Sequence, residues 1–415
     1  MKKILNIIAQ KPNSTGSGIY LQSLVKEADK KDYKQAVIAG ISKYDTKVSF
    51  DSVNKVDFYP VIFETENMPF PVIGMSDVMP YNSTKYRDLS KEKLSKWKEG
   101  FSKALKKSIE EFKPDIIICH HLWLLTALTK DLVLNNIPVI GFCHGTDLRQ
   151  MKSLSKKSKN IFKETINYIK YNCRNLDLII ASHSNEKNEI IKYYGIDKNK
   201  IVLGGSGYNS DVFYNNYEKN KNLNDLTKIV YAGKLSFSKG VPSLINSLNL
   251  LKEKNKNFEL FLAGSGTGEE LDYILNLCKK SKFKIHILGP IPQSDLGNLF
   301  RKSNILVLPS FYEGMPLVLI EAMACGIKIV SSDLPGLKEW MGKTINNSGI
   351  INYVPLPRIE NIDVPLDEDL PEFEKKLGEN IENHFNKLIT YDKKLKKSIE
   401  NKSWRGAFED LEKYF

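Results

Sequence analysis

Cysteine is scarce in this chain of 415 residues: Cys119, Cys143, Cys173, Cys278 and Cys325 are scattered, with no CxxC spacing. An odd, dispersed set argues against a disulfide framework or a zinc site and favours a reducing compartment, the cytoplasm. Long apolar runs are missing too. None approaches the ~18 residues a membrane span needs. The N-terminal MKKILNIIAQKPN is basic and then briefly apolar, but it lacks the length and small-residue cleavage site of a signal peptide. It reads as a first strand. Zinc-finger, aromatic RNA-binding and heptad patterns are absent, which leaves nucleic acid the weaker partner. The string GSGTGEE at 264–270 has the glycines of a dinucleotide fingerprint at the wrong spacing.

Lysine is abundant, and the formal net charge is +12. A basic surface suits nucleic acid, anionic lipid or an acidic nucleotide substrate, and part of the excess is general composition. The length predicts two domains. Apolar strand candidates at Ile4–Ala9, Ala36–Ala39, Phe58–Phe63, Asp115–Cys119, Val139–Cys143, Leu178–Ala181 and Ile201–Gly204 alternate with helical stretches. Such alternation predicts a mostly parallel sheet covered by helices on both faces. Residues 90–112 set Leu94, Trp97, Phe101, Leu105, Ile109 and Phe112 at helical spacing among lysines. A crossover helix burying that stripe is favoured over a membrane-surface helix. A second lysine-rich stretch, Lys152–Lys170, adds slightly to the membrane option.

The most informative stretch is 303–326, SNILVLPSFYEGMPLVLIEAMACG. The run Ile305–Leu308 reads as a buried strand, a loop carries Glu313, and Leu317–Ala324 has helical length and stops at Gly326. In α/β sheets, ligands sit beyond the carboxyl end of such a strand, and a helix start favours phosphate. Glu321 lies eight positions after Glu313, on roughly the same side of the helix. By spacing alone the pair could equally be a surface glutamate and a salt-bridged helix residue.

The full string PSFYEGMPLVLIEAMACGIKIVSSDLPGLKE resembles the glutamate–seven residues–glutamate motif of retaining, nucleotide-sugar-dependent glycosyltransferases of family 4. That family has the GT-B fold: two Rossmann-like domains facing across a cleft, with a C-terminal helix crossing back to the first. The resemblance implies an acceptor-binding domain at 1–212, joined by a helix at about 395–415, and a donor-binding domain at 213–394. It implies that Glu313 contacts the donor sugar and Glu321 the ribose, with Gly314, Met315, Pro316 and Leu317 lining the donor site. GKLSFSKG matches the family's diphosphate clamp and gives Lys234 and Lys239. The first is more often arginine, so Lys234 keeps the charge and loses the bidentate fork.

Ile291, beside Pro290, is implied as the residue against the base, which favours uracil by analogy. GSGIYLQSLVKEA matches the N-terminal glycine loop, with Gly18 toward the donor and Ser17 toward the acceptor. HGTDLRQ follows the strand at Val139–Cys143. His144 takes the place of the family's hexose-contacting histidine, while Asp147 and Arg149 are candidate acceptor or sugar contacts. His120 and His121 could line the same cleft, though structural roles fit them better.

The implied reaction is hexosyl transfer from a nucleotide-sugar, UDP-linked by analogy, with His144, Glu313 and Lys239 carrying the chemistry. No cofactor or metal is expected, since no DxD follows a strand and LDEDL lies in the proline-rich, acidic stretch 354–373. That stretch fits the family poorly and reads as a solvated insertion. The lysine- and asparagine-rich residues 215–228 read as a linker. The acceptor could be lipid, glycan, protein or small molecule, and the enzyme cytoplasmic or peripheral at the inner membrane face. A non-catalytic GT-B partner subunit and a nucleotide-sugar epimerase are the alternatives.

Overall fold

The computed structural model describes residues 2–133, 136–156, 160–215, 226–254, 256–361, 363–385 and 387–415. Most of the expected linker, 216–225, and residues 157–159 of the second basic stretch lie outside the described residues. The chain forms two compact units: Met1–Ser206 with Ala407–Phe415, and Gly207–Gly406. The division falls ahead of Phe213 because Tyr208 and Phe213 are buried in the second unit's core. The returning tail is 407–415, shorter than 395–415, because Leu395 and Ile399 also belong to that second core.

The first unit contains strands Lys3–Ile8 (β1), Lys34–Ser42 (β2), Val56–Phe63 (β3), Ile73–Gly74 (β4), Thr84–Lys85 (β5), Ile116–His120 (β6), Val139–Phe142 (β7), Leu178–Ala181 (β8) and Ile201–Leu203 (β9). Seven of them form a parallel sheet in the order β3-β2-β1-β6-β7-β8-β9, while β4 and β5 pair separately. The strands are near-continuous apolar runs because helices cover both faces. Those helices are Gly16–Asp29 (α1), Lys91–Phe112 (α2), Leu124–Val133 (α3), Thr146–Lys156 (α4), Asn160–Arg174 (α5) and Ser184–Tyr194 (α6). Helix α2 buries Trp97, Phe101, Leu105 and Phe112 in the core. Its apolar stripe is therefore unavailable to a membrane.

The second unit repeats the plan with Thr227–Ala232 (β10), Phe258–Ala263 (β11), Lys284–Gly289 (β12), Ile305–Leu308 (β13), Lys328–Ser332 (β14) and Ile351–Val354 (β15). All are parallel, in the order β12-β11-β10-β13-β14-β15. This is the doubly wound order in which the chain reverses direction beside its first strand, opening a crevice at the carboxyl ends. Its helices are Val241–Glu253 (α7), Gly268–Lys279 (α8), Gln293–Arg301 (α9), Leu317–Ala324 (α10), Leu337–Met341 (α11), Lys343–Asn346 (α12), Leu370–Glu382 (α13) and Lys393–Glu400 (α14). A last helix, Trp404–Glu412 (α15), runs into the tail. There Tyr33 donates its hydroxyl to Glu412 Oε1 at 2.8 Å and stacks edge-on against Phe408.

The acidic stretch is largely exposed, as expected, but it is ordered rather than an unstructured loop. Ile359–Asn361 (β16) and Val364–Pro365 (β17) form an antiparallel pair, and Arg358 clamps Asp369 through Nε at 2.9 Å and Nη2 at 2.7 Å. Phe373 then anchors α13 in the core. Among the described residues no helix is long and apolar enough to cross a membrane.

Candidate functional site

In the second unit, the loops after β10 and β13 emerge side by side because the two strands pair at the reversal point. Contact is very close. A Cβ on Gly240 (φ +66°) would sit 2.1 Å from the Pro309 carbonyl oxygen, and on the other side of β10 one on Gly264 (φ +139°), just after β11, would sit 1.8 Å from that of Gly233. Lys239 Nζ lies 2.8 Å from Glu313 Oε1 and donates to the Tyr312 carbonyl at 3.1 Å. Ser310 donates its hydroxyl to the same Glu313 oxygen at 2.8 Å. Glu313 is thus held by two donors on one oxygen, with Oε2 unpartnered among the described residues. Lys234 is exposed, and its carbonyl accepts the buried Tyr231 hydroxyl at 2.6 Å.

Helix α10 starts at Leu317 after Pro316, which has no N–H to cap. Leu317 donates to the Met315 carbonyl at 2.9 Å. The amides of Gly314, Met315 and Val318 have no acceptor among the described residues, and space beside Gly314 is open. Open amides at a helix start are a phosphate-binding arrangement. Leu319, Ile320, Ala322 and Met323 bury the core face of α10. Glu321 lies on the other face, and burial pushes its carboxyl up to about 7. Ile291 is half-buried in the turn from β12 to α9, with Pro290 exposed beside it.

In the first unit, the same reversal occurs between β1 and β6. The glycine loop closes on itself: Thr15 Oγ1 accepts the Gly18 amide at 3.2 Å, and the Thr15 carbonyl accepts that of Ile19 at 2.8 Å. Gly18 therefore offers no free amide. Its requirement is space, since a Cβ would meet Pro12 backbone at 2.9 Å. Ser17 is buried, with its hydroxyl against Gln10, Thr15 and His121. In this unliganded arrangement both groups are taken up by hydrogen bonds inside the unit.

The histidine pair after β6 divides its work. His121, at φ +74°, places Nε2 3.0 Å from Ser17 Oγ and Nδ1 3.2 Å from Thr146 Oγ1, joining the glycine loop to the start of α4. His120 Nδ1 lies 3.2 Å from His144 Nε2, with the two rings stacked. Burial holds His144 neutral, with its pKa down at about 3, and drives His120 and His121 well below the usual imidazole range.

Asp147 is fully buried. Its carboxylate accepts the amides of Leu122 at 2.8 Å and Leu148 at 3.1 Å, and the Cys143 thiol at 3.2 Å. It fastens the turn from beneath. Arg149 is exposed and lines a cavity of about 340 Å³ with Arg87, Thr146 and Gln150. Ser310, Gln10, Thr15 and Thr146 were not expected from sequence. Each is an uncharged polar residue just past a strand's carboxyl end or beside a glycine, and that position was the available signal.

Residues 15–212 match the family model Glycosyltransferase Family 4, and residues 213–357 match Glycosyl transferases group 1, without a gap between them. A glycosyltransferase of Methanocaldococcus jannaschii is 27% identical over 247 residues, 56% of this chain and 61% of that protein. A second from the same organism is 27% identical over 60% of this chain and 63% of its own length. The matched region thus spans under two thirds of those relatives. Among solved structures, sucrose-phosphate synthase from Thermosynechococcus elongatus superposes over 100% of this chain and 98% of its own with a TM-score of 0.58 at 17% identity. Anabaena HepE in complex with UDP does so over 100% and 99% with a TM-score of 0.57 at 13% identity. These likenesses identify the fold as GT-B.

Proposed function

From a chain that carries the paired domains of a GT-B glycosyltransferase, we propose a retaining hexosyltransferase of the family 4 type that uses a UDP-sugar. The observation that carries this reading is the Lys239–Glu313–Ser310 cluster beside the open amides of α10. It combines a cation for a diphosphate, an oriented carboxylate for sugar hydroxyls and a helix start for phosphate. Glu321, down the same helix, accepts from the ribose. His144 contacts the hexose as a neutral imidazole. Ile291 packs on the base, and a UDP complex of a GT-B neighbour supports uracil.

In the reaction, the bond from the anomeric carbon to the diphosphate oxygen breaks and the acceptor oxygen bonds to that carbon on the same face. The acceptor's proton passes to the departing phosphate oxygen. Lys234, Lys239 and the amides of Gly314 and Met315 stabilise the charge left on the diphosphate. No metal enters this scheme, so turnover should survive excess chelator. Calorimetric titration with UDP, GDP and ADP and their sugars, followed by NMR assignment of the product's anomeric configuration, tests it. Absence of nucleotide binding sinks the transferase reading, and an inverted product sinks retention.

A further inference from the structure

Counting donors and acceptors fixes where each proton sits along the chain from Gln10 to Thr146. Met75 donates its amide to Gln10 Oε1 at 3.2 Å, so Gln10 turns Nε2 to Thr15 Oγ1 and Ser17 Oγ, both at 2.7 Å. Thr15 Oγ1 also accepts the Gly18 amide, which fills both lone pairs. Its hydrogen goes to Ser17 Oγ, 3.1 Å away. Ser17 Oγ, already accepting from Gln10 and Thr15, must then donate to His121 Nε2 at 3.0 Å. His121 is therefore bare at Nε2 and protonated at Nδ1, and it donates to Thr146 Oγ1 at 3.2 Å. The Thr146 hydroxyl is left with its own hydrogen to give.

That hydroxyl lies on the wall of the cavity that also holds Arg149, Arg87, Asp77, Gln150 and Ser153. Arg87 and Asp77 neutralise each other at 3.0 Å. Gln150 spends its Nε2 on the Met75 carbonyl at 3.2 Å. Lys152, on the next turn, is paired with Glu189. Arg149 alone has no ion-pair partner among the described residues, so the cavity combines one uncompensated cation with one obligate hydroxyl donor. Both ask for the same thing, an oxygen-rich anion.

We propose that this cavity binds the anionic group of the acceptor, a carboxylate or a phosphate ester, between the Arg149 guanidinium and the Thr146 hydroxyl. Only the word acceptor rests on the transferase reading; the anion site stands on the first unit alone.

Calorimetry on the full chain tests it with glycerol 3-phosphate, succinate and neutral glycerol as probes. One or both anions should bind where glycerol does not, with the stronger one naming the group. Affinity should fall at least tenfold in Arg149→Gln. It should also fall about tenfold in Thr146→Val, from loss of one hydrogen bond to a charged group, and recover in Thr146→Ser. Arg149→Lys, which keeps charge without the fork, should fall between wild type and Arg149→Gln and guards against a misfolded variant. Co-sedimentation with phosphatidylglycerol vesicles, compared with soluble glycerol 3-phosphate, separates a lipid head group from a free ester. Binding that Arg149→Gln leaves unchanged in either arm, or equal affinity for glycerol, overturns the proposal. Nucleotide binding without anion binding defeats this site alone. Anion binding without UDP binding defeats the transferase reading and leaves the site intact.

Discussion

Lys239 Nζ stands 2.8 Å from Glu313 Oε1, an ion pair that ties the loop after β10 to the loop after β13. Both side chains are partly buried, and Ser310 holds the same carboxylate oxygen. Removing the lysine takes away a cation and leaves the carboxylate oxygen held by Ser310 alone. Lys239→Met should lower kcat by about 10²–10³, the usual cost of one transition-state charge donor. Steady-state kinetics should show kcat falling much further than KM rises, and a purely structural pair would instead change thermal stability with kcat intact.

Glu321 carries a pH signature. Its folded pKa of about 7 exceeds the ordinary value of 4.5 because burial penalises the carboxylate. Below pH 4.5 the group is protonated in both states and contributes nothing. As pH rises from 4.5 to 7 the unfolded state loses the proton first, so stability falls, levelling at a cost of about 3 kcal/mol above pH 7. Glu321→Gln should therefore stabilise the unliganded protein at pH 8 and hardly at pH 4.5. Urea unfolding of both proteins across that range checks it, and a pH-independent difference would refute it.

The His120–His144 contact predicts a tautomer. His120 Nε2 is buried with no partner. An orphaned N–H is rarer in folded proteins than an orphaned acceptor, so the proton belongs on Nδ1, donating to His144 Nε2. His144 then carries its own proton on Nδ1 and acts as a neutral donor. Long-range ¹H–¹⁵N spectra of the histidine-labelled protein should show His144 in the Nδ1–H form from pH 6 to 8, shifting in His120→Leu. A titrating His144 in that range would contradict the burial argument.

Gly264→Ala probes the crowded strand ends. The new Cβ would meet the Gly233 carbonyl oxygen at 1.8 Å in a backbone conformation that side chains rarely adopt. Backbone must move, and a loss of more than about 2 kcal/mol is expected. Denaturant unfolding measures it. Gly268→Ala, also at positive φ but with open space around it, should cost less.

Periodicity and punctuation made much of the fold legible in the sequence. Leu317–Ala324 emerges as α10 with Gly326 just beyond it at φ +78°, because an apolar run and a left-handed glycine are both local signals. The hairpin at 359–365 was hidden because its clamp, Arg358 on Asp369, joins residues that only the fold brings together. The hydrogen bonds of Asp147 were hidden for a related reason. A carboxylate beside a histidine at a strand end looks like a ligand group, and only its three-dimensional neighbours show that backbone amides occupy it. The relay from Gln10 to Thr146 spans four separate segments, and no spacing rule in one dimension anticipates it.

All five cysteines are free and buried, Cys119, Cys143 and Cys173 in the first unit and Cys278 and Cys325 in the second. Thiol reagents can reach them only when the surrounding structure opens. The native chain therefore comes with its own clocks. Mass-resolved alkylation would time the opening of each half separately, with no engineered probe, and a bound nucleotide-sugar should slow the pair in its own half first.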